Sequence, residues 1–257
     1  MDSPNRLPIA KTFIVAILLI FANLAFAQAE SLTILHLNDT HSFVVPFDYN
    51  GDGVMAGGAA RWQTVIKEVR STNPNTLFLH AGDAIAGSGD KYRLNWEQPA
   101  NLSRGLLAMK VLNWLECDAM VLGNHEFDYG RRWLRELLAV AEFPILSANI
   151  LDWPMPAVHQ ERGQLVAQPY VILDTGTIRV GVLGLTTKSY MQSTQVKVED
   201  HIMTAIALIP EIESQTDLVV VLSHLGHNRD VKLANETDGI DVIIGGHSHD
   251  LLRVPKR

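Results

Sequence analysis

The chain has 257 residues, of which 47% are apolar and 19% charged, so it can bury one large core or two small ones and is not a disordered charged segment. Its formal net charge of −7 argues against general binding to nucleic acids or anionic membranes, since both favour a basic surface. The single cysteine, Cys117, excludes an internal disulfide framework and a thiolate metal cluster, so any bound metal must be held by nitrogen and oxygen atoms.

The N-terminal segment has the pattern of a secretory signal peptide. Arg6 and Lys11 precede or flank the start of an apolar run over Thr12–Phe26, and the small residues after it fit cleavage following Ala27 or Ala29. An uncleaved membrane anchor is the alternative, although the small residues favour removal.

These features divide the chain into two parts. We expect a signal peptide over residues 1–29 and a single domain over residues 30–257, in a secreted or periplasmic protein. Beyond the first part no apolar run approaches membrane-spanning length, so we expect no stable span after cleavage.

Short apolar runs alternate with helical patterns along the rest of the chain, which predicts an α/β fold. The expected strands are Leu32–Leu37, Thr76–His80, Ala119–Leu122, Ile145–Ala148, Tyr170–Asp174, Ile178–Leu183, Leu218–Leu222 and Val242–Ile244. The expected helices are Ala59–Val69, Leu102–Leu115, Arg131–Val140 and Met203–Glu213. Asp174–Thr177 is typical of a hairpin turn, and the glycine-rich stretch Asp48–Gly58 of a surface loop.

Five of the expected strands end in residues that can bind a metal ion. In open α/β sheets, ligands bind beyond the carboxyl ends of strands, so we expect these residues to share one site. They are Asp39 and His41, Asp83, Asn124 and His125, His224, and His247 and His249. Each motif alone is typical of a turn or a polar loop, but unrelated turn residues have no reason to follow five strands in this order.

The ordered series resembles the calcineurin-like metallophosphoesterases. Its motifs are Asp39-x-His41, Gly82-Asp83, Gly123–Glu126, His224 and Gly246-His247-x-His249. Three segments are similar to one branch of the family, the secreted 5′-nucleotidases, which include bacterial periplasmic nucleotidase/UDP-sugar hydrolases. These segments are Ile34–His41, Gly123–Asp128 and Leu146–Asn149. The resemblance extends from about Leu32 to Asp250, and it implies a four-layer α-β-β-α sandwich with mixed sheets.

The resemblance also implies a site with two divalent metal ions bridged by a carboxylate and a water or hydroxide. Asp39, His41 and His249 would bind the first ion, and Asn124, His224 and His247 the second. Asp83 would bridge them, because a bridge needs an anion with two usable oxygens. The mixed nitrogen and oxygen ligands suit zinc, manganese, iron or cobalt without selecting one of them.

In the same family the residue matching His125 is not a ligand. It donates a proton to the leaving oxygen or stabilises the transition state, and the residue matching Asp128 orients it. A carboxylate on one imidazole nitrogen raises the basicity of the ring and selects its tautomer. Asp128 has a second interpretation as the N-cap of the following helix, and the two roles are compatible. Glu126 is interpreted as a structural group or as a support for the ligands.

The remaining polar candidates have structural interpretations. Five histidines are assigned to packing or to the surface, namely His36, His80, His159, His201 and His227. Of these, His227 is interpreted as a solvated loop residue. Arg61 begins a helix and has two interpretations, a surface salt bridge or a contact to substrate phosphate.

The printed chain ends at Arg257, soon after the last motif. In the resembled 5′-nucleotidases, a second domain follows that supplies aromatic residues for the base and arginines for the phosphate. We therefore expect a fold that is incomplete at its C-terminus. The edge of the strand Val242–Ile244 would then be exposed unless a partner or a second copy covers it.

The implied function is metal-dependent hydrolysis of small phosphate esters, with nucleotides rather than nucleic-acid polymers as substrates. Two enzymatic alternatives use the same metals: a cyclic-nucleotide phosphodiesterase and another ester hydrolase. A third alternative is an inactive fragment that binds metal or a partner. Without the second domain, any activity is expected to be slow and unselective.

Overall fold

The computed structural model describes residues 30–48, 51–85, 101–128, 130–152, 167–189 and 196–256, except for the side chains of residues 101–105, 131, 132, 151 and 152. The predicted signal peptide and His159 lie outside these residues. The elements below belong to one unit of the chain, Leu32–Arg257.

The strands are β1 (Thr33–Leu37), β2 (Phe47–Asp48), β3 (Met55–Ala56), β4 (Thr76–His80), β5 (Ala119–Val121), β6 (Ile145–Leu146), β7 (Ile150–Asp152), β8 (Tyr170–Asp174), β9 (Arg179–Thr186), β10 (Lys197–Val198), β11 (Leu218–His224) and β12 (Val242–Gly245). The helices are α1 (Ala59–Thr72), α2 (Asn101–Trp114), α3 (Arg131–Leu138), α4 (His201–Glu213) and α5 (His227–Glu236). A 3₁₀ turn covers His125–Phe127.

Two four-stranded sheets form the centre of the fold. Sheet 1 has the strand order β1-β4-β5-β6 and is parallel throughout. Sheet 2 has the order β12-β11-β9-β8, in which β8 alone runs antiparallel to its neighbour. Because β1, β4 and β5 run in the same direction, the loops after them leave sheet 1 at the same end, the carboxyl end of its strands. The loops after β11 and β12 likewise leave sheet 2 at the carboxyl end of its strands.

The alternation of side chains along the strands builds the layers. In β4, Leu77 and Leu79 pack against sheet 2, whereas Phe78 packs in the core beneath α1, α2 and α3. In sheet 2, Val220 faces sheet 1, and Val221 packs against α4 and α5. Successive residues of a strand point to opposite faces, so each sheet buries both faces and the layers run α-β-β-α. The predicted four-layer sandwich with mixed sheets is confirmed.

Every expected strand and helix is present, and the hairpin between β8 and β9 lies where Asp174–Thr177 predicts it. The boundaries differ by up to three residues: β9 continues to Thr186, and α1 continues to Thr72. Cys117 is buried before β5, and burial raises the pKa of its thiol.

Five elements were missed by the sequence patterns, namely two strand pairs and one helix. The expected surface loop Asp48–Gly58 overlaps the β2–β3 hairpin, whose strands have two residues each and are too short to show alternation. The pair β7–β10 joins two short segments that are distant in the sequence. Helix α5 was missed because it is mostly polar, with Leu233 as its one buried apolar residue.

Two features concern the surfaces of the fold. Within the described residues, no helix combines the length and the apolar character that crossing a bilayer requires. Strand β12 lies at one edge of sheet 2, and apolar residues on and after it are exposed: Val242, Leu251, Leu252 and Val254.

Candidate metal centre

The loops after β1 and β4 run side by side beyond the end of sheet 1. Backbone hydrogen bonds continue the pairing of the two strands: the N–H of Asp39 donates to the carbonyl of Gly82 at 2.9 Å, and that of His41 to the carbonyl of Asp83 at 3.0 Å. The predicted ligands Asp39, His41 and Asp83 are therefore held in adjacent positions by the sheet itself.

The backbone at most of the predicted ligands is left-handed. Seven non-glycine residues of the described chain have a positive φ, and five of them are predicted ligands: Asp39 (49°), His41 (45°), Asp83 (53°), His247 (75°) and His249 (55°). This conformation costs about 1–3 kcal/mol per residue and is concentrated at functional sites. Aspartate and histidine tolerate it better than most residues, so the residue types that ligate metals also suit these turns.

The three predicted ligands of the first ion lie together. The Nε2 atom of His249 lies 3.2 Å from Oδ1 of Asp39 and 3.3 Å from Nε2 of His41. The backbone N–H of His247 donates to Oδ2 of Asp39 at 2.9 Å, which ties the loop after β12 to the loop after β1. Residues from both sheets therefore form one cluster of ligand atoms.

A second cluster contains Asp83, His224 and His247, whose candidate ligand atoms lie within 4.8 Å of one another. His224 Nδ1 donates to the carbonyl of Ala81 at 2.6 Å, because a carbonyl can only accept. That bond directs Nε2 of His224 toward Oδ2 of Asp83, 3.1 Å away. Asp83 thus lies beside both clusters, as a bridging ligand must.

Asn124 completes the set of predicted ligands. It lies between Gly123, whose Cα approaches the carboxylate of Asp83, and His125, whose backbone N–H donates to Oδ1 of Asp83 at 2.9 Å. Asn124 is 2% exposed, and its Oδ1 atom has no hydrogen-bond partner among the described residues. A buried amide oxygen without a partner costs free energy, and a metal ion is the kind of ligand that would remove this cost. The residues present therefore fit a metal centre.

His125 and Asp128 form a pair at the rim of the site. His125 Nδ1 donates to Oδ2 of Asp128 at 2.6 Å, and the opposite ring atom, Nε2, lies 4.0 Å from Oδ2 of Asp83. The hydrogen bond to Asp128 is the main cause that raises the pKa of His125. The alternative role of Asp128 as a helix N-cap is wrong, because Gly130 occupies that position before α3.

Glu126 supports the loops that carry the ligands. Its buried carboxylate accepts backbone N–H groups from Gly123 at 2.7 Å, Asp83 at 3.0 Å, Ala84 at 2.8 Å and Ile85 at 3.3 Å. Burial raises its pKa to about 7, whereas the four donors favour the charged form. The structure agrees with the interpretation of Glu126 as a support.

Two glycines allow the loops to approach closely. A Cβ atom on Gly123 would collide with the carboxylate of Asp83, and one on Gly246 would lie 2.5 Å from the carbonyl oxygen of Ala81. Any larger residue at either position would push the loops apart and separate the ligands.

The electrostatics of the second cluster are dominated by one pair. Burial alone would lower the pKa of His224, but the carboxylate of Asp83, 3.1 Å from Nε2, outweighs burial and raises it to about 9. The same contacts hold the pKa of Asp83 near 2 against the effect of burial. A carboxylate that remains ionised is the ligand that a divalent cation needs.

The other polar candidates lie outside the clusters. His80 is fully buried and lies 3.0 Å from the hydroxyl of Thr40, as expected, whereas His36 is exposed because β1 is an edge strand. His227 begins α5, so its interpretation as a loop residue is wrong. The guanidinium of Arg61 donates to two backbone carbonyls of the β3 region rather than to a carboxylate, and its contact to substrate phosphate stays a prediction.

Residues 32–251 match the calcineurin-like phosphoesterase family. The chain belongs to this family. The sequence-based recognition of a metallophosphoesterase is therefore confirmed, and the site described above lies at the edge of the sheets where its ordered motifs predict it.

Known relatives extend the comparison. The chain is 35% identical over 246 residues to the 5′-nucleotidase of Homo sapiens, covering 88% of this chain and 39% of that protein. It is 33% identical over 253 residues to the trifunctional nucleotide phosphoesterase protein YfkN of Bacillus subtilis, covering 86% of this chain and 16% of that protein. The chain thus spans well under half the length of these relatives.

A solved structure gives the same result for the fold. The 5′-nucleotidase precursor of Thermus thermophilus superposes with a TM-score of 0.72 at 35% identity, over 86% of this chain and 42% of that one.

Proposed function

We propose that this chain hydrolyses phosphate esters with two divalent metal ions, and that its substrates are nucleotides. The observation that supports the proposal is that six of the seven predicted ligands lie in clusters of ligand atoms that meet at Asp83. The seventh, Asn124, has a buried Oδ1 atom without a partner among the described residues. The names of the relatives, which are nucleotidases and nucleotide phosphoesterases, support the choice of substrate.

In this proposal each cluster holds one ion. Asp39, His41 and His249 hold the first, and Asn124, His224 and His247 hold the second, with Asp83 shared between them. When bound, two divalent ions stabilise the charge that develops on a transferring phosphoryl group and lower the pKa of nearby water. The ligand types are compatible with zinc, manganese, iron or cobalt.

The residues of the chain divide the remaining work. His125 holds a proton on the nitrogen that faces the cluster and passes it to the leaving oxygen of the substrate, while Asp128 keeps the ring in the required tautomer. Asp39 holds the backbone of His247, which keeps the loops of the two sheets together. Glu126 holds the loop that carries Asp83.

A substrate panel tests the proposal. Metal-free protein should gain hydrolysis of AMP and of an aryl phosphate when Mn²⁺ is added, and His125→Ala should bind the metal but lose turnover. Faster hydrolysis of a cyclic nucleotide than of AMP would favour the phosphodiesterase alternative. Metal binding without turnover of any ester would favour the inactive fragment, and no metal binding would refute the proposal.

We also propose that the protein is exported and that its mature N-terminus is Gln28 or Glu30. The basic residues and the apolar run near the N-terminus support this location. N-terminal sequencing of the protein from its native cells tests it, because an intact Met1 in a membrane fraction would contradict cleavage.

A final proposal concerns the edge of sheet 2. Strand β12 has no neighbour on its outer side among the described residues, and exposed apolar residues follow it, including Leu251 and Val254. Such an edge favours pairing with a partner or with a second copy. Light scattering after size exclusion should then show oligomers, and a stable monomer would contradict self-association.

A further inference from the structure

A buried polar cluster lies next to the candidate metal centre but contains none of its predicted ligands. Ser147 and Asn149 follow β6 in sheet 1, and Thr186 is the last residue of β9 in sheet 2. All three are at most 3% exposed. We call these three residues the interlayer clamp.

The hydroxyl groups of the clamp form an ordered chain. Thr186 Oγ1 donates to the carbonyl of Leu122 at 2.8 Å, which uses its one proton. Ser147 Oγ lies 2.6 Å from Thr186 Oγ1 and must therefore be the donor in that bond. Two residues of sheet 1 are thus bonded to one hydroxyl of sheet 2.

The side chain of Asn149 acts as an additional strand partner. Its Oδ1 accepts the backbone N–H of Thr186 at 2.8 Å, and its Nδ2 donates to the carbonyl of Thr186, also at 2.8 Å. Nearby, the N–H of Ala148 donates to the carbonyl of Gly184 at 2.7 Å. At this point the two sheets touch through their backbones rather than through apolar side chains.

Both ends of the clamp reach the ligands of the second ion. Leu122 precedes Asn124 by two residues, so its carbonyl lies at the start of the loop that carries that ligand. Thr186 is the register partner of His224, and the N–H of Thr187 donates to the carbonyl of His224 at 3.1 Å. The clamp therefore connects one ligand from each sheet.

We propose that the interlayer clamp sets the separation between Asn124 and His224 and is thus a group of positioning residues for the second ion. This inference rests on the proposed function. Apolar packing between the sheets is not directional and allows small sliding, whereas hydrogen bonds at 2.6–2.8 Å specify position. Without the clamp, the two ligands would keep their chemistry but lose their spacing.

Titration of Mn²⁺ into the metal-free chain tests the clamp. Thr186→Val keeps the shape of the side chain and removes the hydrogen bonds of its hydroxyl group. The dissociation constant of one Mn²⁺ ion should then rise by about 10- to 100-fold, while that of the other ion stays unchanged. Thr186→Ser keeps a hydroxyl and should restore tight binding. If Thr186→Val does not fold, Ser147→Ala removes only the donor to Thr186 and should show a smaller loss at the same ion.

A matched control separates positioning from stability. Thr76→Val removes another buried threonine hydroxyl of the sandwich, which donates to the carbonyl of Asn73 at the opposite end of sheet 1. It should lower the free energy of unfolding without changing either dissociation constant. Clamp variants that lose stability yet bind both ions as tightly as the native chain would overturn the proposal.

A double variant shows which of the two ions the clamp affects. In Asn124→Ala, the second ion has already lost the ligand of sheet 1 that the clamp positions, so adding Thr186→Val should change metal binding little. An equal effect in both backgrounds would contradict the clamp. If the native chain binds no Mn²⁺ at all, the proposed function itself fails, and this outcome is distinguishable from failure of the clamp alone.

Discussion

The two halves of the candidate metal centre differ in burial. On one side, His224 is 0% and Asn124 is 2% exposed; on the other, the side chain of His249 is 60% exposed. The buried residues follow β11 and β5, which have neighbours on both sides, whereas Asp39 and His249 follow β1 and β12, which lie at the edges of their sheets. Asp39 also follows an edge strand, but its side chain is only 5% exposed, so the open part of the centre is the loop after β12 that carries His249.

This difference indicates how the centre would work. An exposed ligand such as His249 would leave its ion open to exchange and to substrate. Buried ligands such as Asn124 and His224 lie in a dry environment, which strengthens electrostatic interactions and would slow exchange. Asp83 follows β4, an interior strand of sheet 1, and lies against both sets.

Loss of Asp83, the ligand that both ions share, should weaken metal binding on the open side and on the buried side alike. Asp83→Asn keeps the size of the side chain but loses its charge, so neither ion is held well. We expect turnover to fall by about 10⁴-fold or more, because each ion contributes several kcal/mol of charge stabilisation. Elemental analysis beside a kinetic assay checks this, and a variant that retains two ions would contradict the bridging role.

Loss of His125 should leave both sides intact. His125→Ala is expected to reduce turnover by on the order of 10²–10⁴-fold, the usual contribution of a positioned general acid, with metal content unchanged. Asp128→Asn should have a smaller effect in the same direction, because it weakens the orientation of the ring and leaves the ring in place. Parallel loss of metal and activity in His125→Ala would reassign that residue as a ligand.

Weakening the support beneath Asp83 should affect both ions moderately. Glu126→Gln replaces one acceptor oxygen by an NH₂ group that faces backbone donors, so metal affinity or activity should fall by about 10- to 100-fold. Asp118→Asn is the control, since Asp118 accepts the backbone N–H of Phe78 at 2.7 Å away from the site. Equal losses of metal affinity in the two variants would contradict a specific role for Glu126.

The open and buried sides should respond differently to metal concentration. His249→Ala removes an exposed ligand, so we expect about a tenfold loss of activity at low Mn²⁺ that high Mn²⁺ restores. His224→Ala leaves a cavity and an uncompensated Asp83 in a dry site, and added metal should not rescue it. Rescue of both variants to the same extent would remove the comparison between the two sides.

The last effect concerns stability rather than activity, at the residue that supports the buried side. Asp230 in α5 accepts the hydroxyl of Ser223, the neighbour of His224, at 2.5 Å, and burial raises the pKa of Asp230 from 3.8 to about 6. The folded state therefore binds the proton more tightly than the unfolded state. The contribution of Asp230 to the free energy of unfolding is complete below about pH 4. It is lost as the pH rises through about 6, and the loss is on the order of 2–3 kcal/mol.

Asp230→Asn should remove this pH dependence. The free energy of unfolding of the native chain, measured relative to the variant by urea titration, should decrease between about pH 4 and pH 6.5. A constant difference in free energy of unfolding between the native chain and the variant would show that Asp230 does not titrate between pH 4 and pH 6.5.

The ordered motifs predicted the site better than the local patterns predicted its surroundings. Asp39, Asp83 and His224 were placed in one site because parallel strands bring their carboxyl ends to one edge, a rule that needs only the strand order along the chain. Helix α5 was not found, because a polar helix with Leu233 as its single buried apolar residue has almost no periodicity.

The sequence by itself determined the fold class, the family and the identity of the candidate ligands, since these depend on residue types and their order. Only the tertiary structure decided that Asn124 is buried with an unpartnered oxygen, that His249 is open to water, and that Thr186 joins the two sheets. The reason is physical: burial and hydrogen-bond partners depend on residues that are distant in the chain. Leu122 and Thr186, for example, are 64 positions apart and meet only when both sheets are formed.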